Sequence, residues 1–188
     1  KTVEDTEEVY RNVNWSLQSL EWDGLFNYGA GNKIDFSKLE GIVGIFGKNF
    51  SGKSSVVDSL LYALYNSTSK NVRKNLNIIN QNLSSGSAKA VIKIADKELS
   101  VERTSEKYLK KLHGVETEEA KTDLNFYSSD LLGNVESLND TTRQETDKNV
   151  KKYFGSLDDF LMTSMASQLD SLTFINEGSA NRKKILAK

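Results

Sequence analysis

Cysteine and proline are both missing from this sequence, and histidine occurs once. Without Cys there is no disulfide framework and no thiolate zinc site, which fits a reducing compartment and sets the expected location as cytoplasmic. No apolar run approaches the roughly 18 residues a membrane span needs, and no signal peptide opens the chain. No membrane partner is therefore expected. Net charge is −1, so composition offers no broad basic field for nucleic acid. A DNA surface would have to be a local patch. The candidates are Lys70/Arg73/Lys74, Lys107/Lys110/Lys111, Lys148/Lys151/Lys152 and Arg182/Lys183/Lys184, each of which reads first as a solvated face. The single histidine, His113, reads as an ordinary surface residue.

What is present is a chain of 188 residues, 37% apolar, long enough for one domain with a substantial core. There is no internal repeat and no low-complexity linker to mark a second domain. The chain begins with Lys1, and Glu4, Asp5, Glu7 and Glu8 make residues 1–13 an acidic leader expected to be poorly ordered. Its last residues, Asn181–Lys188, read as the opening turns of a longer helix, so the expectation is a piece of a longer protein.

Trp15–Trp22 alternates as a strand, with a phase change that predicts a bulge near Ser19. Tyr28-Gly29-Ala30-Gly31-Asn32 is turn chemistry, and Lys33–Ser37 a short strand. Ile42-Val43-Gly44-Ile45-Phe46 is a continuous apolar run, the mark of a strand buried on both faces. A helix follows over Lys53–Tyr65, with Val56, Val57, Leu60, Leu61 and Leu64 as its core stripe. Ala88–Ile94 and Glu98–Thr104 read as a hairpin, and Lys107–His113 with Lys121–Tyr127 as a second. Thr142 and Glu145 are spaced as a capping box for a helix to Phe154, with Gly155 as its stop. Ser156 and Asp159 cap a further helix, Leu157–Ala166, and Ser179 caps the last. The fold class expected is mixed α/β.

Gly47-Lys48-Asn49-Phe50-Ser51-Gly52-Lys53-Ser54 matches G-x-x-x-x-G-K-[ST] at every fixed position. A chance match in a chain this long is on the order of a one-percent event at average composition. The context is also right, with an apolar run before the loop and an amphipathic helix after it. Glycines let successive backbone N–H groups turn inward toward phosphate oxygens, and the helix adds its positive end. Lys53 then reaches the β- and γ-phosphates, and the Ser54 hydroxyl holds Mg²⁺. The nucleotide-binding set is Gly47, Lys48, Asn49, Phe50, Ser51, Gly52, Lys53, Ser54 and Ser55, with ATP and Mg²⁺ as cofactors.

The GTPase strings D-x-x-G and N-K-x-D occur as Asp130–Gly133 and Asn32–Asp35, but the second precedes the loop. That order excludes a GTPase. A Walker-B strand is not found. Val91-Ile92-Lys93-Ile94-Ala95-Asp96 carries a Lys and reads as a hairpin, and Asp158-Asp159 opens a helix.

Three stretches carry a family resemblance: GKNFSGKSSVVDSLLYALYN, LNDTTRQETDKNVKKYFGSLDDFLMTSMASQ and the tail after Gln168. Over Asn14–Lys188 the chain is similar to the N-terminal half of the ATPase head of SMC-like, SbcC-type DNA double-strand-break repair ATPases and phage recombination endonuclease large subunits. The resemblance implies a phosphate-loop NTPase fold of ABC type, with an antiparallel portion and the start of a coiled coil at about 179–188. It implies Gln168 at the Q-loop, acting in catalysis with Lys53 and contacting Mg²⁺ with Ser54. It also implies partners: the C-terminal half of the same ATPase with the signature motif and Walker B, a second head, an SbcD-type nuclease subunit, and double-stranded DNA. The expected activity is ATP hydrolysis, incomplete in this stretch alone. Phe50 departs from the Gly common in such loops, which sets its ring beside the nucleotide or the partner half. Asp23–Tyr28 lacks the basic residue many relatives carry. The alternatives are an SMC- or RecN-type chromosome-maintenance head without a nuclease, and a self-sufficient non-ABC phosphate-loop enzyme.

Overall fold

The computed structural model describes residues 15–49, 51–69 and 75–163. The leader at 1–13, Phe50, the cluster Lys70/Arg73/Lys74, Gln168, the Ser179 cap, the cluster Arg182/Lys183/Lys184 and the expected coiled-coil start lie outside the described residues.

Six antiparallel strands form one sheet in the order β2-β1-β3-β4-β5-β6. They are β1 (Trp15–Asp23), β2 (Asn32–Asp35), β3 (Ser85–Ile94), β4 (Lys97–Leu112), β5 (Val115–Asp130) and β6 (Val135–Ser137). The β1–β3 register shifts between Leu17 and Ser19, where the change of hydrophobic phase predicts a bulge. β2 stops at Asp35, whose carboxylate accepts from the Ser37 backbone N–H and turns the chain into a short 3-10 segment instead of extending the strand.

The two expected hairpins on β4 and β5 are one. β4 continues through Leu112, turns at His113-Gly114 with both residues at positive φ, and pairs with β5 in unbroken register from Lys97–Asp130 to Leu112–Val115. The outer half of this ribbon has no buried face to announce it. Cross-strand pairs hold it: Lys110 with Glu119 at 3.3 Å, Lys111 with Glu116 at 3.5 Å, and the Tyr108 hydroxyl donating to Glu119 at 2.8 Å.

One sheet face is covered by α1 (Lys53–Tyr65) and α2 (Arg143–Phe154). The sheet side of the core is Leu20, Trp22, Ala88, Ala90, Ile92, Leu99, Val101 and Phe126. α1 contributes Val56, Leu61, Tyr62, Ala63, Leu64 and Tyr65, and α2 contributes Val150 and Phe154. The expected stripe on α1 is therefore shifted: Val57 is exposed, whereas Tyr62, Ala63 and Tyr65 are buried. The shift follows from polar partners awaiting the tyrosines. The Tyr62 hydroxyl shares a 2.6 Å hydrogen bond with Ser105, which shares one of 2.7 Å with Thr122. Burial pushes the Tyr62 hydroxyl up to about 12, so it stays protonated within this network. The Tyr65 hydroxyl donates to the Phe154 carbonyl at 3.2 Å and ties the ends of the two helices together.

The ends of α2 follow from local chemistry. Thr142 and Glu145 form a complete capping box, and Gly155 is the C-cap. Residues from Ser156 onward form a separate unit. Its described part is α3 (Leu157–Thr163), opened by Ser156 and Asp159, whose side chains and backbone bond reciprocally.

The run Ile42–Phe46 is not a strand. It has no strand partner among the described residues, and Ile42 and Phe46 are fully exposed. A strand needs a neighbour to take its backbone hydrogen bonds. The described sheet ends at β2 on one edge and β6 on the other and the run pairs with neither, so the apolar pattern of 42–46 encodes burial that the described residues do not provide.

Candidate nucleotide-binding site

Gly52 is the N-cap of α1 and sits in the left-handed region at φ 90, with no side chain capping the helix start. Glycine is needed there for its φ, and a helix start leaves backbone N–H groups without i−4 partners. Lys53 follows at the first helical position. Its ammonium donates to the carbonyls of Gly47 and Lys48, both at 2.7 Å, so the long side chain folds back over the loop it belongs to. The Ser51 N–H donates to Lys48 O at 3.3 Å. Gly47, Lys48, Asn49, Ser51 and Ser54 are exposed, whereas Gly52, Lys53 and Ser55 are half-buried. The loop thus brings together every described residue of the sequence-predicted set, with a cation at its centre and a helix start behind it. Those features suit a phosphate chain with bound Mg²⁺. Among the described residues there is no cluster of His, Cys, Asp or Glu fit to hold a metal by itself.

The loop is buttressed from below by a residue whose sequence context reads only as a turn. The Tyr28 hydroxyl donates to the Gly52 carbonyl at 3.1 Å. Its ring packs edge-on against Trp22, with centroids 5.2 Å apart. The segment carrying Tyr28 is bolted in place: the Phe26 N–H donates to Ile78 O at 2.8 Å, the Asn80 N–H to Gly24 O at 2.8 Å, and the Asn80 amide to Tyr28 O at 3.1 Å. Gly24 permits this, because a Cβ there would come within 2.4 Å of the Ser85 carbonyl.

Asp96, the end of the nearest Walker-B mimic, lies exposed in the β3–β4 turn, far in role from a metal ligand. In the basic cluster Lys107/Lys110/Lys111, Lys107 donates to the carbonyls of Asn80 and Gln81, while Lys110 and Lys111 are ion-paired with Glu119 and Glu116. Lys148, Lys151 and Lys152 are exposed on α2.

The family model for the AAA domain matches residues 19–188, the phosphate loop included. The chain belongs to this AAA domain family. Two curated proteins bear on the kind of AAA domain. An uncharacterized protein of Acanthamoeba polyphaga mimivirus is 28% identical over 192 residues, covering 99% of this chain and 14% of that protein. The SbcC component of the nuclease SbcCD from Clostridium acetobutylicum is 28% identical over 170 residues, covering 88% of this chain and 14% of that component. The AAA domain thus spans about one seventh of the length of these relatives. Among solved structures, a chain from work on the ATP-driven dimerization and DNA-stimulated activation of SMC ATPases superposes with a TM-score of 0.57 at 19% identity. It covers 91% of this chain and 97% of that one, and the likeness is one of fold. The family match makes this an AAA domain, and the superposition gives it a mixed α/β fold like that of the SMC ATPase chain. Among the described residues no helix is long and apolar enough to cross a membrane.

Proposed function

We propose that this AAA domain is the ATP-binding lobe of an SbcC-type head, which binds Mg·ATP on Gly47–Ser55 and hydrolyses it only when completed by a C-terminal half. The single observation that carries the reading is the Gly52–Lys53 arrangement, with the helix start and the ammonium both directed at the loop. Binding would transfer the Lys53 ammonium from the Gly47 and Lys48 carbonyls to the β- and γ-phosphate oxygens, while the loop N–H groups take the remaining charge. Ser54 would present its hydroxyl to Mg²⁺, which neutralises phosphate charge when bound. Gln168 is proposed to contact Mg²⁺ or the attacking water. The Walker-B carboxylates and signature motif would come from the C-terminal half and a second head. ATP-driven closure of two heads would then gate an SbcD-type nuclease on double-stranded DNA in the cytoplasm.

The test is a titration of Mg·ATP and Mg·GTP by calorimetry, with Lys53→Ala as control. Removing two charge-assisted hydrogen bonds weakens Mg·ATP binding by about a hundredfold. Equal affinity of the Lys53 variant, or a strong preference for GTP, would remove this reading.

A further inference from the structure

We infer that Tyr28 is a positioning residue for the phosphate loop, setting its affinity for the phosphate chain by gripping the Gly52 carbonyl. The inference rests on the nucleotide-binding reading of that loop. The Gly52 carbonyl accepts two hydrogen bonds, from the Ser55 N–H at 2.9 Å and from the Tyr28 hydroxyl at 3.1 Å. The first is local, an i to i+3 bond within the first turn of α1. The second comes from 24 residues away and is specific to this fold. A trans peptide is planar, with its C=O and N–H antiparallel. Holding the Gly52 oxygen toward Tyr28 therefore points the Lys53 N–H away from Tyr28. That peptide lies at the turn from loop to helix, where the N–H is presented to an anion. Lys53 thus has its backbone donor aimed by Tyr28 while its ammonium lies on Gly47 and Lys48.

The grip has little play. A Cβ on Gly52 would lie 3.1 Å from the Tyr28 ring, so ring and glycine are in close contact as well as hydrogen-bonded. Behind the ring stands Trp22, 4% exposed and itself in the core of the sheet. Tyr28 can hardly retreat, because its own carbonyl is held by the Asn80 amide and its N–H by Leu25 O at 2.9 Å. The sheet core, through Trp22 and Tyr28, fixes the orientation of one peptide in the loop. A loop positioned this way binds phosphate without first having to be ordered, and that saving appears as affinity.

The experiment compares the full chain with Tyr28→Phe and Tyr28→Leu, titrating Mg·ATP and, separately, Mg·pyrophosphate, which has no base or ribose. Thermal midpoints are read on the same samples. Tyr28→Phe keeps the ring and loses the grip, and both ligands should bind about three- to tenfold more weakly, by the same factor. Tyr28→Leu also loses the ring contact and should weaken both further. A merely structural tyrosine would lower the midpoint of Tyr28→Phe and leave both affinities unchanged; that result overturns the inference while the nucleotide reading stands. Weakening confined to Mg·ATP also overturns it, since it would place Tyr28 at the base. No binding by the unsubstituted chain would overturn the nucleotide reading and this inference with it.

Discussion

Asp147→Ala destabilises the fold by about 3 kcal/mol or more, and Arg103→Met costs clearly less, although the two residues form one ion pair. Arg103 lies on the core-facing row of β4, alternating with Val101 and Ser105, and its side chain is 0% exposed. Its Nε donates to the Ala63 carbonyl at 3.2 Å and one terminal nitrogen to Asp147 at 2.6 Å; the other terminal nitrogen has no hydrogen-bond partner. The Ala63 carbonyl belongs to the last turn of α1, where carbonyls lack intrahelical donors and a cation is favoured. One guanidinium therefore joins the phosphate-loop helix, the sheet and α2. The asymmetry follows from exposure. Asp147 is 23% exposed and also lies 3.9 Å from Arg143, so it can rehydrate or lean on Arg143 when Arg103 goes. Arg103 has no such escape when Asp147 goes, and a buried cation without its counter-charge is the costly case. The pair Arg103→Met/Asp147→Leu should recover much of the loss. Urea midpoints at constant slope measure all three. A costlier Arg103→Met than Asp147→Ala would contradict this account of the core.

Much of this architecture is legible in local signals, and what is not shares one cause. α1 is read correctly end to end because Gly52 and Asn66, both left-handed, bracket it. The Thr142/Glu145 box and Gly155 bound α2 for the same reason. The bulge shows as a change of phase within β1. Arg103 gives no such sign, because an arginine on a strand reads as an outward residue until α1 and α2 arrive over it. Tyr28 reads as turn chemistry because its partner Gly52 is 24 residues away. The outer ribbon of β4 and β5 reads as broken because its exposed pairs, such as Lys110 with Glu119, leave no hydrophobic alternation. Ile42–Phe46 reads as buried and stands exposed, with Val43 and Ile45 each about half exposed.

That last mismatch carries the second large effect. Ile42→Asp/Phe46→Asp should leave the thermal midpoint of the lone chain nearly unchanged, within about 0.5 kcal/mol, because both side chains are already in water. It should abolish the turnover gained when a C-terminal half is added. A contiguous exposed apolar run marks an interaction surface, and burying Ile and Phe contributes about 1.5–3 kcal/mol each. Charges there would forfeit that gain and add the cost of burying carboxylates. A lone chain that unfolds on this substitution would mean the run is buried within the chain instead. Unaltered turnover with the second half would mean the run is not where the halves meet.

The central claim, that one lobe of an ATPase head binds ATP and a second half completes it, is tested most directly by ATP turnover. The measurement is phosphate release by the chain alone and after adding the C-terminal half in trans. The account predicts release barely above background for the chain alone and a sustained rate once the second half is present. Robust turnover by the chain alone, or none with both halves together, would contradict it.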